Sequence, residues 1–170
     1  MSSDMRQVQL SSQITHTQPV QRAVATSKEV AGAIAAANFS DCSATVVGYG
    51  NMGKHYVKAL RALGVKRLRV CSRSADPLAE LQGSADVETY AGGVERLDCR
   101  PSPDELGIIA TPTASLVSAA ERLIVLGYRR LLIEKPVSLW STTIERLAEA
   151  LEPQGVEAAC AYNRLAYPSF

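Results

Sequence analysis

The segment ATVVGYGNMGKHYVKAL, residues 44–60, places Gly48, Gly50 and Gly53 where an apolar run stops and an amphipathic one begins. Glycines spaced GxGxxG at such a junction do one of two things. They make a tight turn and no more, or they bring backbone amides and a helix N-terminus up to a pyrophosphate. In the second case Gly48 makes the turn, Gly50 lets the backbone approach the phosphates, and Gly53 lets the helix pack closely on the strand. The N–H groups of Asn51 and Met52 then face the anion, where the helix dipole favours negative charge.

Three further segments carry candidate chemistry. RVCSRSAD (69–76) ends a strand-like run with Ser72 and Arg73. A chain selective for NAD usually has Asp or Glu there for the ribose 2′-hydroxyl, whereas Arg suits a 2′-phosphate. The plainer reading of Arg73 is a solvated base on a loop, and Asp76, slightly later, still offers NAD an acid. IATPT (109–113) stops another run with Thr111 and Pro112, a strand end followed by a helix entry. LLIEKPVS (131–138) puts Glu134 and Lys135 at the end of a third. A Lys at a strand's carboxyl end can donate to a developing alkoxide or hold a carbonyl oxygen. It can equally point to solvent beside Glu134, and the residue types leave both open.

These segments need elements to position them. From residue 43 short apolar runs alternate with helical patterns. The strands are predicted over ATVVGY (44–49), VKRLRVCS (65–72), ADVETY (85–90), ELGIIAT (105–111), RRLLIEK (129–135) and VEAACAYN (156–163). Helices are predicted over NMGKHYVKALRAL (51–63), PLAELQG (77–83), ASLVSAAERLIVLG (114–127) and TTIERLAEALE (142–152). Apolar strands without clean alternation, separated by helices, imply an α/β fold: a doubly wound parallel sheet covered on both faces. The glycine motif then opens the first helix, the placement a dinucleotide fingerprint requires. Residues 1–40 read as an N-terminal extension. MSSDMRQVQLSSQITHTQ (1–18) is polar and aperiodic. The Ala-rich stretch 19–38 has Val20, Ala23, Val24, Ala31 and Ile34 at helical spacing and reads as a helix docking on the main domain.

Composition narrows the partners. With 170 residues, 46% of them hydrophobic and 21% charged, the chain is long enough to bury a full core. A net charge of +1 gives no field for nucleic acid or an acidic membrane. No apolar run approaches the roughly 20 residues that span a bilayer, and the N-terminus does not read as a secretory signal. Cys42, Cys71, Cys99 and Cys160 are scattered, with no CxxC pair and no nearby His cluster. No metal is expected, and free thiols in a reducing cytoplasm are the natural state.

The succession VVGYGNMGKHYVKAL, CSRS, ATPT, IEKPVS and AYNRLAYPSF resembles the N-terminal half of the glucose–fructose oxidoreductase, inositol dehydrogenase and rhizopine-catabolism family (Gfo/Idh/MocA) over residues 43–170. The resemblance implies a Rossmann domain, strand order 3-2-1-4-5-6, at residues 41–163, binding NADP or, alternatively, NAD. It implies hydride transfer to or from a carbonyl or hydroxyl of a sugar- or polyol-like small molecule. Lys135 maps onto the lysine beside nicotinamide and substrate, and Pro136 onto a commonly cis proline. Tyr162, Asn163 and Arg164 fall near the nicotinamide. His55 matches a frequent helix histidine, read as structural; Leu116 stands where the family often has a His that contacts the cofactor or helix side.

The family's second α/β domain, which normally supplies the proton-transfer partner, is expected to be missing, with residues 164–170 its truncated start. The apolar LAYPSF end then favours association with another chain. Two rivals remain: a non-catalytic nucleotide-binding module, or subunit completed by a separate chain, and a methyltransferase using the glycine loop for its adenosyl donor; EKP argues against the latter.

Deleting residues 1–18 is expected to leave thermal stability and nucleotide binding unchanged, since little apolar area can be buried there. Loss of folded protein on that deletion would make the segment part of the domain.

Overall fold

The computed structural model describes residues 27–162. The 1–18 segment, Val20, Ala23 and Val24 of the expected helix, and everything from Asn163 on, including Arg164 and residues 164–170, lie outside the described residues.

Six strands form one sheet: β1 Ser43–Val47, β2 Arg67–Ser72, β3 Val87–Ala91, β4 Leu106–Ile109, β5 Arg130–Ile133 and β6 Glu157–Cys160. The order is β3-β2-β1-β4-β5-β6 and every neighbouring pair is parallel. The helices are α1 Ser27–Ala36, α2 Asn51–Ala62, α3 Thr113–Leu126 and α4 Ser141–Leu151. The predicted doubly wound sheet is present, and its order reverses between β1 and β4.

The period-2 alternation of the strands divides two cores. Ala44, Val46, Leu68, Val70 and Ile108 face α2 with Val57 and Leu60. Val47, Cys71, Ile109, Leu131 and Ile133 face α3 and α4 with Leu123, Ile124, Leu147 and Leu151. Cover on both faces holds for the central strands. It fails at the edges: β3 and β6 are largely exposed, because each has a neighbour on one side only. The helix expected at PLAELQG is a 3-10 segment, Asp76–Leu81, with Pro77 in its first turn. The described side chains of α1 are in solvent. Residues 32–38 are all exposed, and Ile34 keeps 47% of its surface in water.

At the N-terminal end of the sheet lies a buried polar cluster. Glu105, just before β4, is 2% exposed. It accepts hydrogen bonds from Thr45 Oγ1 at 2.7 Å, Arg69 Nη1 at 2.8 Å and the Ser102 amide at 2.8 Å. Tyr128 Oη shares a 2.7 Å hydrogen bond with Thr45. Burial works against the Arg69 cation, but the facing Glu105 charge raises its pKa overall. Burial pushes the Tyr128 phenol up to about 12. A satisfied buried network of this kind binds β1, β2 and β4 together at the end opposite the glycine motif.

Glu105→Ala leaves the partly buried Arg69 without its main counter-charge and is expected to cost about 3–5 kcal/mol, or roughly 6–20 °C in Tm. A thermal melt by circular dichroism reads this directly; an unchanged Tm would deny the cluster any part in holding the sheet.

Candidate functional site

The C-terminal ends of the strands are pinned to one another by backbone hydrogen bonds from the residues that leave them. Gly48 N donates to Cys71 O at 2.8 Å, Ala110 N to Val47 O at 2.7 Å, Glu134 N to Ile109 O at 2.9 Å and Ala161 N to Ile133 O at 2.8 Å. This rim is where open parallel sheets bind ligands, at the point where strand order reverses.

The three glycines meet three different constraints there. Gly48 has φ +97°, and a Cβ on it would stand 2.5 Å from Ala110 O, so the turn between β1 and β4 admits no side chain. A Cβ on Gly53 would stand only 1.9 Å from Gly48 O, because the first turn of α2 rests on that carbonyl. A Cβ on Gly50 would meet nothing within 4 Å. The middle glycine is thus not needed for packing; it keeps a space open. Gly50 is also the N-cap of α2, and no side chain caps the helix there or adds an acid to its first turn. The leading amides and the positive end of the dipole therefore face that space.

The space is a cleft of about 500 Å³. Of the sequence-predicted residues, Gly48, Gly50, Asn51, Met52, Ser72, Arg73, Thr111 and Pro112 all line it. Gly53 lies beneath, as packing. Thr111 Oγ1 is buried without a hydrogen-bond partner among the described residues, a donor and acceptor left for a ligand. Asp76 is exposed at the head of its 3-10 segment and does not line the cleft. Leu116 is 1% exposed in the core under α3, so its departure from the family pattern is a matter of packing.

Glu134 and Lys135 line an adjoining groove of about 570 Å³ with Tyr56, His55 and Tyr162, and Met52 borders both spaces. Glu134, 8% exposed, accepts a 2.5 Å hydrogen bond from Tyr56 Oη and a 3.0 Å one from the Lys135 amide. Burial, then the Glu134 hydrogen bond and charge, raises the Tyr56 pKa. Helix α2 is thereby tied to the Lys135 turn. The Lys135–Pro136 bond is cis, and the Lys135 side chain is exposed. His55, read as structural, is an exposed residue of the groove with no hydrogen bond among the described residues. Asn163 is outside the described residues. Among these, no three His, Cys, Asp or Glu side chains converge as a metal site, and no helix is long and apolar enough to cross a membrane.

Sequence reasoning missed Glu95 and Tyr56. Glu95 reaches the cleft because Gly92 and Gly93, after β3, both donate to Ser72 O, at 2.9 and 3.0 Å. The Gly-Gly pair was a visible turn marker, but nothing in the sequence said onto what the turn folds.

A family model described as the oxidoreductase family with an NAD-binding Rossmann fold matches residues 42–162. The chain belongs to the Gfo/Idh/MocA oxidoreductase family. These residues are its nicotinamide-dinucleotide-binding domain. The open cradle at Gly50, the uncapped α2 and the unpartnered Thr111 hydroxyl fit that group.

No curated protein is detectably similar in sequence. Among solved structures, scyllo-inositol dehydrogenase from Lactobacillus casei, with bound NAD(H) and scyllo-inositol, is 18% identical with a TM-score of 0.62. The match covers 75% of this chain and 38% of that one. A 3-ketoreductase from Actinomadura kijaniata, in complex with NADP and TDP-benzene, is 20% identical with a TM-score of 0.62, covering 75% and 39%. An oxidoreductase from Agrobacterium radiobacter, in complex with NAD+, L-tartaric acid and magnesium, is 16% identical with a TM-score of 0.63, covering 72% and 36%. At these identities the likeness is one of fold, and the chain spans 36–39% of the length of these structures.

Gly50→Val puts a branched side chain into the cradle from a Cβ that meets no protein atom within 4 Å. It is expected to abolish NADPH binding, read by nicotinamide fluorescence, with the thermal melt unchanged. A folded Gly50→Val variant of undiminished affinity would remove the phosphates from this turn.

Proposed function

We propose that this domain binds NADP in preference to NAD and presents it for hydride transfer to or from the carbonyl or hydroxyl carbon of a sugar- or polyol-like substrate. The observation that carries the reading is the empty space above Gly50, facing the uncapped α2 at the reversal point of the sheet. A bound pyrophosphate would be held there by the amides of Asn51 and Met52. Thr111 and Pro112 border its nicotinamide side, and Ser72 and Arg73 its adenosine end. Arg73 forms no ion pair among the described residues and stays available to a 2′-phosphate.

The bound nicotinamide supplies or accepts the hydride. Lys135 holds the substrate oxygen and stabilises charge on it; Glu134, fixed by Tyr56, sets the backbone from which Lys135 projects, and Asn163 completes the cofactor contacts. The substrate class draws support from the scyllo-inositol bound in one similar structure and the 3-ketoreductase activity named for another. Residues 41–163 form the cofactor unit, and 164–170 lead into the substrate part. We also propose that the exposed side formed by β6 and Tyr162, the latter 53% exposed, associates with another chain. Four free cysteines support a cytoplasmic setting.

Two measurements test this. A charge-assisted Arg73–phosphate hydrogen bond is worth roughly 1.5–3 kcal/mol, so Arg73→Ala should weaken NADPH by about 10- to 150-fold and barely affect NADH. Equal losses for both would remove Arg73 from the 2′-phosphate. The exposed Lys135 works in high dielectric, where its charge does little for an alkoxide. Residues 1–170 alone are therefore expected to bind NADPH without appreciable oxidation of it by sugars, polyols or small carbonyls. Steady turnover that Lys135→Ala abolishes would show that this chain closes its own active site.

A further inference from the structure

The adenosine end of the cleft carries an acid as well as a base, and the acid comes from an unexpected place. In the usual dinucleotide arrangement it stands at the end of the second strand; here that position holds Ser72 and Arg73. The segment after β3 folds over them. Gly92 and Gly93, with φ of +102° and +84°, both donate to the Ser72 carbonyl. The chain then turns into a short 3-10 segment whose first turn holds Glu95.

The Glu95 side chain runs back over the turn. A Cβ built on Gly93 would stand 2.5 Å from Glu95 Oε2 and 3.7 Å from Arg73 Cγ, so carboxylate and arginine flank the same glycine. Both line the cleft with Ser72 and Ser74. They form no ion pair with each other or with any other described residue. The carboxylate also lies close enough to the floor of the cleft to act on Cys71: burial first, and then the Glu95 charge, pushes that thiol up to about 12.

We propose that Glu95 is a second determinant of cofactor choice, opposing Arg73 at the adenosine ribose. This rests on the dinucleotide reading of the cleft. A carboxylate accepts hydrogen bonds from the vicinal ribose hydroxyls of NAD and repels a 2′-phosphate; a guanidinium does the reverse. With both flanking one glycine, the chain takes both nucleotides, and their ratio is set by the pair. Arg73 is the stronger partner for NADP, and Glu95 keeps NAD within reach. Position makes this assignment, since Glu95 lies 22 residues after Arg73 in the chain and no spacing rule connects them.

The test compares dissociation constants for NADH and NADPH, by nicotinamide fluorescence, in the unaltered chain, Glu95→Gln and Arg73→Ala. Glu95→Gln keeps the shape and hydrogen-bonding reach of an exposed side chain and removes only the charge. It should weaken NADH by about 10-fold and leave NADPH equal or several-fold tighter, so the NADH/NADPH ratio of dissociation constants rises at least 10-fold. Arg73→Ala should move the ratio the other way. Displacement of NADH by 2′,5′-ADP, which carries the extra phosphate without the nicotinamide half, should need several-fold less competitor in Glu95→Gln. A ratio unchanged within twofold in folded Glu95→Gln, including equal loss of both nucleotides, would overturn the inference while leaving the cleft a dinucleotide site. Binding of neither nucleotide by the unaltered chain would overturn the cleft reading, and this inference with it.

Discussion

The Cα of Gly53 rests against the carbonyl of Gly48, so closely that a methyl group there would fall 1.9 Å from the oxygen. That contact fixes where α2 begins relative to β1. With the helix start held down on the turn, its free amides open over the junction of β1 and β4, where no strand continues and no side chain intrudes. A helix lifted to make room for a Cβ would carry those amides away from the cleft and loosen Val57 and Leu60 from the sheet. Cofactor site and core share one steric constraint.

The two ends of the sheet do different work. At the N-terminal end, Glu105, Thr45, Arg69 and Tyr128 form a buried network with its hydrogen bonds satisfied. At the C-terminal end the strands hand over to loops anchored by single backbone hydrogen bonds, and polar groups such as the Thr111 hydroxyl are left without partners. A satisfied buried network holds one end of the sheet, while the opposite rim keeps open space, exposed charges and a helix without a cap.

Between cleft and groove the link is α2 itself. Its first turn borders the cleft through Asn51 and Met52. One turn later it reaches the Lys135 segment through the Tyr56–Glu134 hydrogen bond. One rigid helix thereby relates the open space at Gly50 to the Lys135 turn. The exposed pair Leu139 and Trp140, 77% and 71% accessible, follows directly on that turn; Trp140 is the chain's one tryptophan.

Much of this was legible in the chain as written. Strand and helix periodicities, with Gly64 and Gly127 closing α2 and α3, determined the alternating elements, and the GxGxxG spacing located the cradle, because these depend on residues near one another in sequence. The ordered motifs around Arg73, Thr111 and Lys135 were readable for the same reason: parallel strands all deliver their carboxyl ends to one rim, so a strand end is already an address. Other features needed the folded molecule. The 3-10 form of Asp76–Leu81 and the exposure of α1, β3 and β6 follow from what each element has to pack against, which periodicity does not report. Tyr56 meets Glu134 across 78 residues, and Thr45 meets Glu105 across 60. Glu95 stands beside Arg73 only because two glycine amides fold one loop onto another strand's last carbonyl. Local sequence determined which groups reach the rim; which of them face each other there was decided by tertiary contacts between loops with no periodicity to announce them.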